Sequence, residues 1–353
     1  MKKVLLSTTA LVAAGLLVTS MAYAQDEEAA AEEEMMAEEE MMEEEMAAAD
    51  PVSVGISGAA LFAVIANDGA NSPTATATFD PSLSGSATMD NGLTFAVSAK
   101  LQTGAEYATT VSGAFGDVTL GLARSARGGS RIASPGATLN FGVNGPYNAG
   151  IAQTVATNGT GSTGVDRDPK IVYTSPSIGG IQLALSYAPG GTATAATVSA
   201  GHDATGDHTT TPAGATPTDQ LSAAATFTQD LGDASVSVNV GFETASAGNA
   251  SPRDINAGAT ITVGDIQVGG GMRDSDNDAG VSSMQMDVGA MITMGALSLS
   301  AAWANDDAAN TDMFALGAGY PLGEGVDIEA QVDFGDNNGT DWVQFMVGTA
   351  ISF

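Results

Sequence analysis

Asp274, Asp276 and Asp278 stand at alternate positions ahead of Gly280, which is how a calcium-binding loop opens. In an EF-hand the glycine falls one place earlier, and a glutamate closes the loop where Gln285 stands here. That motif is therefore rejected. A solvated acidic loop is the ordinary reading of these residues, with weaker calcium binding through the three aspartates as the alternative. His202 and His208, the only histidines, lie in a Gly/Thr/Ala-rich stretch beside Asp203 and Asp207. A metal centre needs a third or fourth fixed ligand, and a Ser-His-Asp hydrolase needs a histidine held rigidly against its nucleophile. The stretch offers neither, so no catalytic group and no cofactor is expected.

The charged residues that remain are arranged by parity. From 326 to 334, Val326, Ile328, Ala330, Val332 and Phe334 alternate with Asp327, Glu329, Gln331 and Asp333. From 234 to 244, Val236, Val238, Val240 and Phe242 oppose Ser235, Ser237, Asn239 and Glu243. Successive side chains of a strand point to opposite faces, so each segment has one apolar and one polar side. Lys100, Lys170, Arg273 and Asp287 fall on the small and polar side of their own segments. Arg124 has the parity of Val118, Leu120 and Leu122, which places it at the end of its strand or already in the loop beyond. Val343, Phe345, Val347, Thr349, Ile351 and Phe353 close the chain with the same alternation. A strand ending on an aromatic residue, after many like it, fits a barrel with lipid outside and water inside.

The front of the chain agrees. Lys2 and Lys3, an apolar run from Val4 to Val18, and Ala22-Tyr23-Ala24 match a secretory signal over residues 1–24. No later run is long and apolar enough for a membrane helix, so any crossing must be by strands. Residues 25–50 alternate glutamate triplets with Met35-Met36, Met41-Met42 and Met46, without a basic residue. Such a segment is expected to be a disordered periplasmic tail. A partner-induced helix and soft-metal binding through the thioethers are the alternatives. There is no cysteine, so stability must come from hydrogen bonding and burial. Ten basic residues against 41 acidic ones argue against nucleic acid as a partner and for cations.

From residue 51 to 353 the period-two pattern yields sixteen candidate strands, at 52–65, 74–89, 93–103, 107–115, 118–125, 169–175, 181–188, 219–229, 234–244, 254–263, 266–273, 284–294, 296–304, 312–320, 326–334 and 342–353. Short connections such as Gly116-Asp117, Gly264-Asp265 and Met294-Gly295 alternate with longer ones, about 40 residues after Ser125 and about 30 after Ala188. Short inner turns and longer outer loops are the asymmetry of outer-membrane barrels, and an even strand number puts both termini in the periplasm. Acids facing lipid would be costly, so the polar rows must face the lumen.

Phe115 to Gly121 (FGDVTLG), Arg167 to Tyr187 (RDPKIVYTSPSIGGIQLALSY), Phe314 to Gly323 (FALGAGYPLG) and the terminal Ile351-Ser352-Phe353 resemble, in order, the alphaproteobacterial branch of the Gram-negative porins. The resemblance implies an all-β, sixteen-stranded antiparallel transmembrane barrel, usually a homotrimer, integral to the outer membrane and in contact with its lipid. It implies that the third outer loop, about Ala126 to Asp166, folds inward and narrows the lumen to an eyelet for small hydrophilic solutes. It also implies that the C-terminal Phe353 is read by the barrel insertion machinery. That loop holds Arg127 and Arg131 against one acid, Asp166. The arginines are expected either to face wall carboxylates such as Asp287, Asp327, Glu329 and Asp333 across the pore, or to pin the loop by local salt bridges. Passive, cation-preferring diffusion is the leading function. The alternative is a structural or interaction barrel that binds partners through its tail or outer loops.

Overall fold

A computed structural model describes residues 52–353 except 69–72, 102–106, 131, 133–134, 136–168, 191–217, 247–248, 250, 277–281, 308–309 and 338. The signal and tail segments, His202, His208, Arg131 and Asp278 thus lie outside the described residues.

Among the described residues the chain forms sixteen strands: β1 (Ser53–Asn67), β2 (Thr74–Thr88), β3 (Thr94–Lys100), β4 (Tyr107–Gly113), β5 (Gly116–Leu122), β6 (Pro169–Thr174), β7 (Ile181–Gly190), β8 (Thr218–Asp230), β9 (Ala234–Ser246), β10 (Arg253–Val263), β11 (Ile266–Asp276), β12 (Ser282–Met294), β13 (Leu297–Asp306), β14 (Thr311–Gly323), β15 (Val326–Asn337) and β16 (Thr340–Ser352). Each pairs antiparallel with its sequence neighbours, and β1 pairs with β16 from Ala59↔Ser352 to Asn67↔Gln344, closing the barrel. Closure leaves no unpaired edge, which a hydrocarbon surround would penalise at every free amide and carbonyl. One short helix, α1 (Ala126–Ser130), follows β5.

All sixteen expected strands are present, but several boundaries move. The first turn of the β4–β5 hairpin is Ala114-Phe115, and Gly116 takes a positive φ of 101° at the start of β5. Towards the C-terminus the strands run further than expected: β11 continues to Asp276, and β15 meets β16 across residues 338–339 alone. Asp/Asn/Gly-rich sequence reads as loop by composition, yet beyond the hydrocarbon band both faces of a strand meet water. Polar side chains there do not oppose the backbone ladder. The tight turns at one rim use glycine where the left-handed region is needed, as at Gly264 (φ 54°) and Gly295 (φ 63°).

The parity assignment holds around the wall. Phe62, Leu120, Leu185, Val240, Ile255, Phe314 and Phe345 are exposed on the outer face. Gln220, Asn239, Glu243, Asp254, Arg273, Gln285 and Gln344 are buried on the inner one. The inner face is not uniformly polar, however. Leu61, Ala63 and Ile65 of β1 pack with Met346 of β16, and Ala304, Met313, Ala315 and Trp342 form a second buried cluster across β13, β14 and β16. Ile65 and Met313 are each only 1% exposed, so an apolar side chain on this arc meets no lumenal water.

A pinned inner segment and the charged lumen

After β5 ends at Leu122 the chain turns into the barrel, and its backbone is tied to lumenal side chains of successive strands. The Ala126 N–H donates to Ser186 Oγ of β7 at 2.9 Å, and the Arg127 N–H to Ser222 Oγ of β8 at 2.8 Å. The Ile132 N–H donates to Asn239 Oδ1 of β9 at 3.0 Å. Within the segment, the Gly128 N–H donates to Ser125 Oγ and the Gly129 N–H to the Ser125 carbonyl, so Ser125 caps the single helical turn. The Ala126, Arg127 and Gly128 donors would otherwise be orphans at the start of a short helix. The wall is shaped for the contact: a Cβ on Gly258 would overlap the Ile132 carbonyl oxygen, and one on Gly241 would come within 2.7 Å of Arg127 Cγ.

Arg127 is fully buried at the centre of this contact. Its Nη2 lies 3.4 Å from Asp254 Oδ2, and its Nε lies 4.0 Å from Glu243 Oε2. Asp254 also accepts from Arg273, with Nη2 at 3.0 Å and Nε at 3.3 Å. Glu243 accepts from Gln220 Nε2 at 3.0 Å. Two guanidiniums and two carboxylates thus nearly cancel within one buried cluster that joins the inner segment to β8, β9, β10 and β11. Of the two roles open to the loop arginines, Arg127 takes the pinning one. Its partners are Glu243 and Asp254, not Asp287, Asp327, Glu329 or Asp333. Arg273, expected to line open pore, is likewise enclosed.

Asp254 did not stand out in the sequence, although it shares the parity of Asn256, Gly258 and Thr260 against Ile255, Ala257, Ala259 and Ile261. It already opened the expected strand 254–263, so reading the parity of that segment would have found it. Ser186 and Ser222 gave no such signal, because serine is ordinary at any lumenal position.

The other expected residues are dispersed around the wall. Lys100 pairs with Asp80 at 3.6 Å, both side chains partly exposed. Lys170 and Asp287 are buried and engaged. Asp333 accepts from Gln331 Nε2 at 2.6 Å, with Asp327 and Glu329 following it along the same inner row of β15. Asp306, two residues beyond the expected strand 296–304, ends β13 inside the barrel and accepts from Gln285 Nε2 at 3.2 Å and Ser283 Oγ at 3.0 Å. Asp274 and Asp276 are corrected from loop to strand: they occupy the outward row of β11, and Asp276 pairs with Arg253 at 3.2 Å. Phe353 stacks on Phe79 with ring centroids 5.9 Å apart, and its backbone exchanges two hydrogen bonds with Gly58.

A family profile described as Gram-negative porin matches residues 7–340. The chain belongs to that family. Among solved structures, it is similar to a porin refined at 1.8 Å resolution, with 19% identity and a TM-score of 0.59 over 85% of this chain and 100% of that one. An anion-selective porin from Comamonas acidovorans gives 17% identity and a TM-score of 0.60 over 86% and 100%. The trimer form of OmpT, an outer membrane protein of Vibrio cholerae, gives 13% and 0.57 over 86% and 100%. No curated protein sequence matches it significantly. The porin is thus an integral outer-membrane channel protein whose fold it shares with distant relatives.

Proposed function

We propose that this porin passively conducts small hydrophilic solutes and ions, with a preference for cations. The observation that carries the reading is the division of charge around the lumen. Arg127 of the inner segment and Arg273 of its facing wall are compensated in the cluster with Glu243 and Asp254, whereas Asp327, Glu329 and Asp333 share one inner row of β15, the first two half-buried and the third buried, without a basic partner among the described residues. Carboxylates between low-dielectric walls concentrate counter-ions without a binding step, and nothing is chemically transformed. An anion-selective porin from Comamonas acidovorans has a similar fold, so the barrel by itself does not dictate the ion sign and the cation reading rests on the side chains.

The working assembly is a homotrimer with both termini in the periplasm, its outer apolar row in contact with outer-membrane lipid. Phe353 serves as the feature that the barrel insertion machinery reads. Recording from a planar bilayer under a potassium chloride gradient tests pore and ion sign together. A reversal potential of the sign that favours potassium is expected; a non-conducting protein or a chloride preference would sink the reading.

A further inference from the structure

A cavity of about 350 Å³ opens between α1 and the inner faces of β6, β7 and β8, on the side of α1 nearer the tight-turn rim. It falls in the size range of small-molecule sites, roughly 300–1,000 Å³. Among the described residues no acidic one lines it. Its walls carry the hydroxyls of Thr174 and Thr226 and the amide of Gln182, and Ala184 and Ala224 form a small apolar floor. Gln182 donates one amide hydrogen to the Ser175 carbonyl at 3.2 Å.

The group that sets the chemistry is Arg124. Six lysines and arginines lie among the described residues. Lys100 pairs with Asp80, Arg253 with Asp276, and Arg127 and Arg273 with the buried carboxylates, while Lys170 is engaged as well. Arg124 alone has no partner among the described residues, and it lines this cavity. A guanidinium presents a planar fork of donors that matches a carboxylate in two parallel hydrogen bonds. Glu243 and Asp254, the carboxylates buried against Arg127, are already engaged by Arg127 and Arg273. Hydroxyls beside a guanidinium that is unpaired among the described residues, with small apolar residues next to them, suit a polyol chain that ends in a carboxylate.

We propose that the cavity is a binding site for a small hydroxylated carboxylate, its acid group on Arg124 and its hydroxyls on Thr174 and Thr226. The proposal rests on the diffusion-pore reading and deepens it: in a lumen that favours cations, this site retains one class of acid by direct contact. The test is conductance of the full-length mature protein in potassium chloride with added potassium gluconate, set against neutral glucose. Gluconate is expected to reduce the current saturably. Arg124→Gln should raise the half-saturating gluconate concentration about tenfold, as expected for one lost charge-assisted hydrogen bond. Arg124→Lys should fall between the two, and Thr226→Val should give a smaller, several-fold loss without altering charge. Glucose should be weak and indifferent to Arg124→Gln.

Equal gluconate block in wild type and Arg124→Gln, or no block in a normally conducting pore, would overturn the site and leave the pore reading standing. Glucose binding as well as gluconate would overturn the carboxylate assignment. Calorimetric titration of gluconate in detergent reads the same site without current. Should the protein fail to conduct, heat abolished by Arg124→Gln would uphold the site in a barrel that is not a pore, and absence of heat in the wild type would refute it.

Discussion

At the scale of single residues, two ion pairs of this porin illustrate how burial sets their worth. Lys100 and Asp80 sit 3.6 Å apart with side chains 37% and 44% exposed, so water screens them and their removal is expected to cost no more than about 1 kcal/mol. Arg127 shares its burial with Glu243 and Asp254, all three side chains fully enclosed. Truncating Arg127 to alanine removes a buried guanidinium from beside Glu243 and leaves Asp254 with Arg273. We expect a loss of about 3–5 kcal/mol, the usual cost of breaking a buried pair from one side. Thermal unfolding in detergent checks this: Arg127→Ala should melt well below wild type and Lys100→Ala close to it. Equal melting temperatures would show that the cluster is held by other contacts.

At the scale of elements, the inner segment is positioned by absent side chains as much as by hydrogen bonds. The Ile132 carbonyl rests where a Cβ on Gly258 would be, and backbone cannot yield as a flexible side chain does. Gly258→Ala is therefore expected to push the segment off the wall while β9, β10 and β11 keep their register. Single-channel conductance should change in that variant, with the folded barrel still present in spectroscopic secondary-structure measurements; unchanged conductance would mean that the segment does not bound the pore. The β1–β16 seam makes a second case. Phe353 contributes two backbone hydrogen bonds to Gly58 and a ring stacked on Phe79, all at the end of the closing strand. Deleting Phe353 should lower the yield of inserted protein far more than the conductance of those barrels that form. Normal insertion of the truncated chain would refute the role proposed for it.

At the scale of the whole molecule, ion preference depends on which charges remain uncompensated around the lumen. The combined change of Asp327 and Asp333 to Asn and Glu329 to Gln should move the zero-current potential towards non-selectivity. The effect should be largest in dilute salt, because at about 1 M the screening length is only about 3 Å. Removing residues 25–50 should move it less, since that acidic segment is expected to lie outside the pore. If the tail deletion had the larger effect, the inner row of β15 would not govern selectivity. Stepwise closure in threes in the same recordings would support the proposed trimer, and single steps would count against it.

By itself the sequence determined the strand number, the inward and outward faces and the antiparallel hairpin order. These follow from local alternation of side chains and from turn residues, which act over a few positions. Strand ends were less legible, as at β11 and β15, because polar composition outside the membrane band suits strand and loop alike. Only the tertiary structure decided the roles of the charges. That Arg127 meets Glu243 and Asp254, more than 110 residues away, depends on the path of a loop into a closed barrel. Parity can assign a side chain to a face, but which neighbours share that face across several strands is set by register and closure, and no local pattern carries that information.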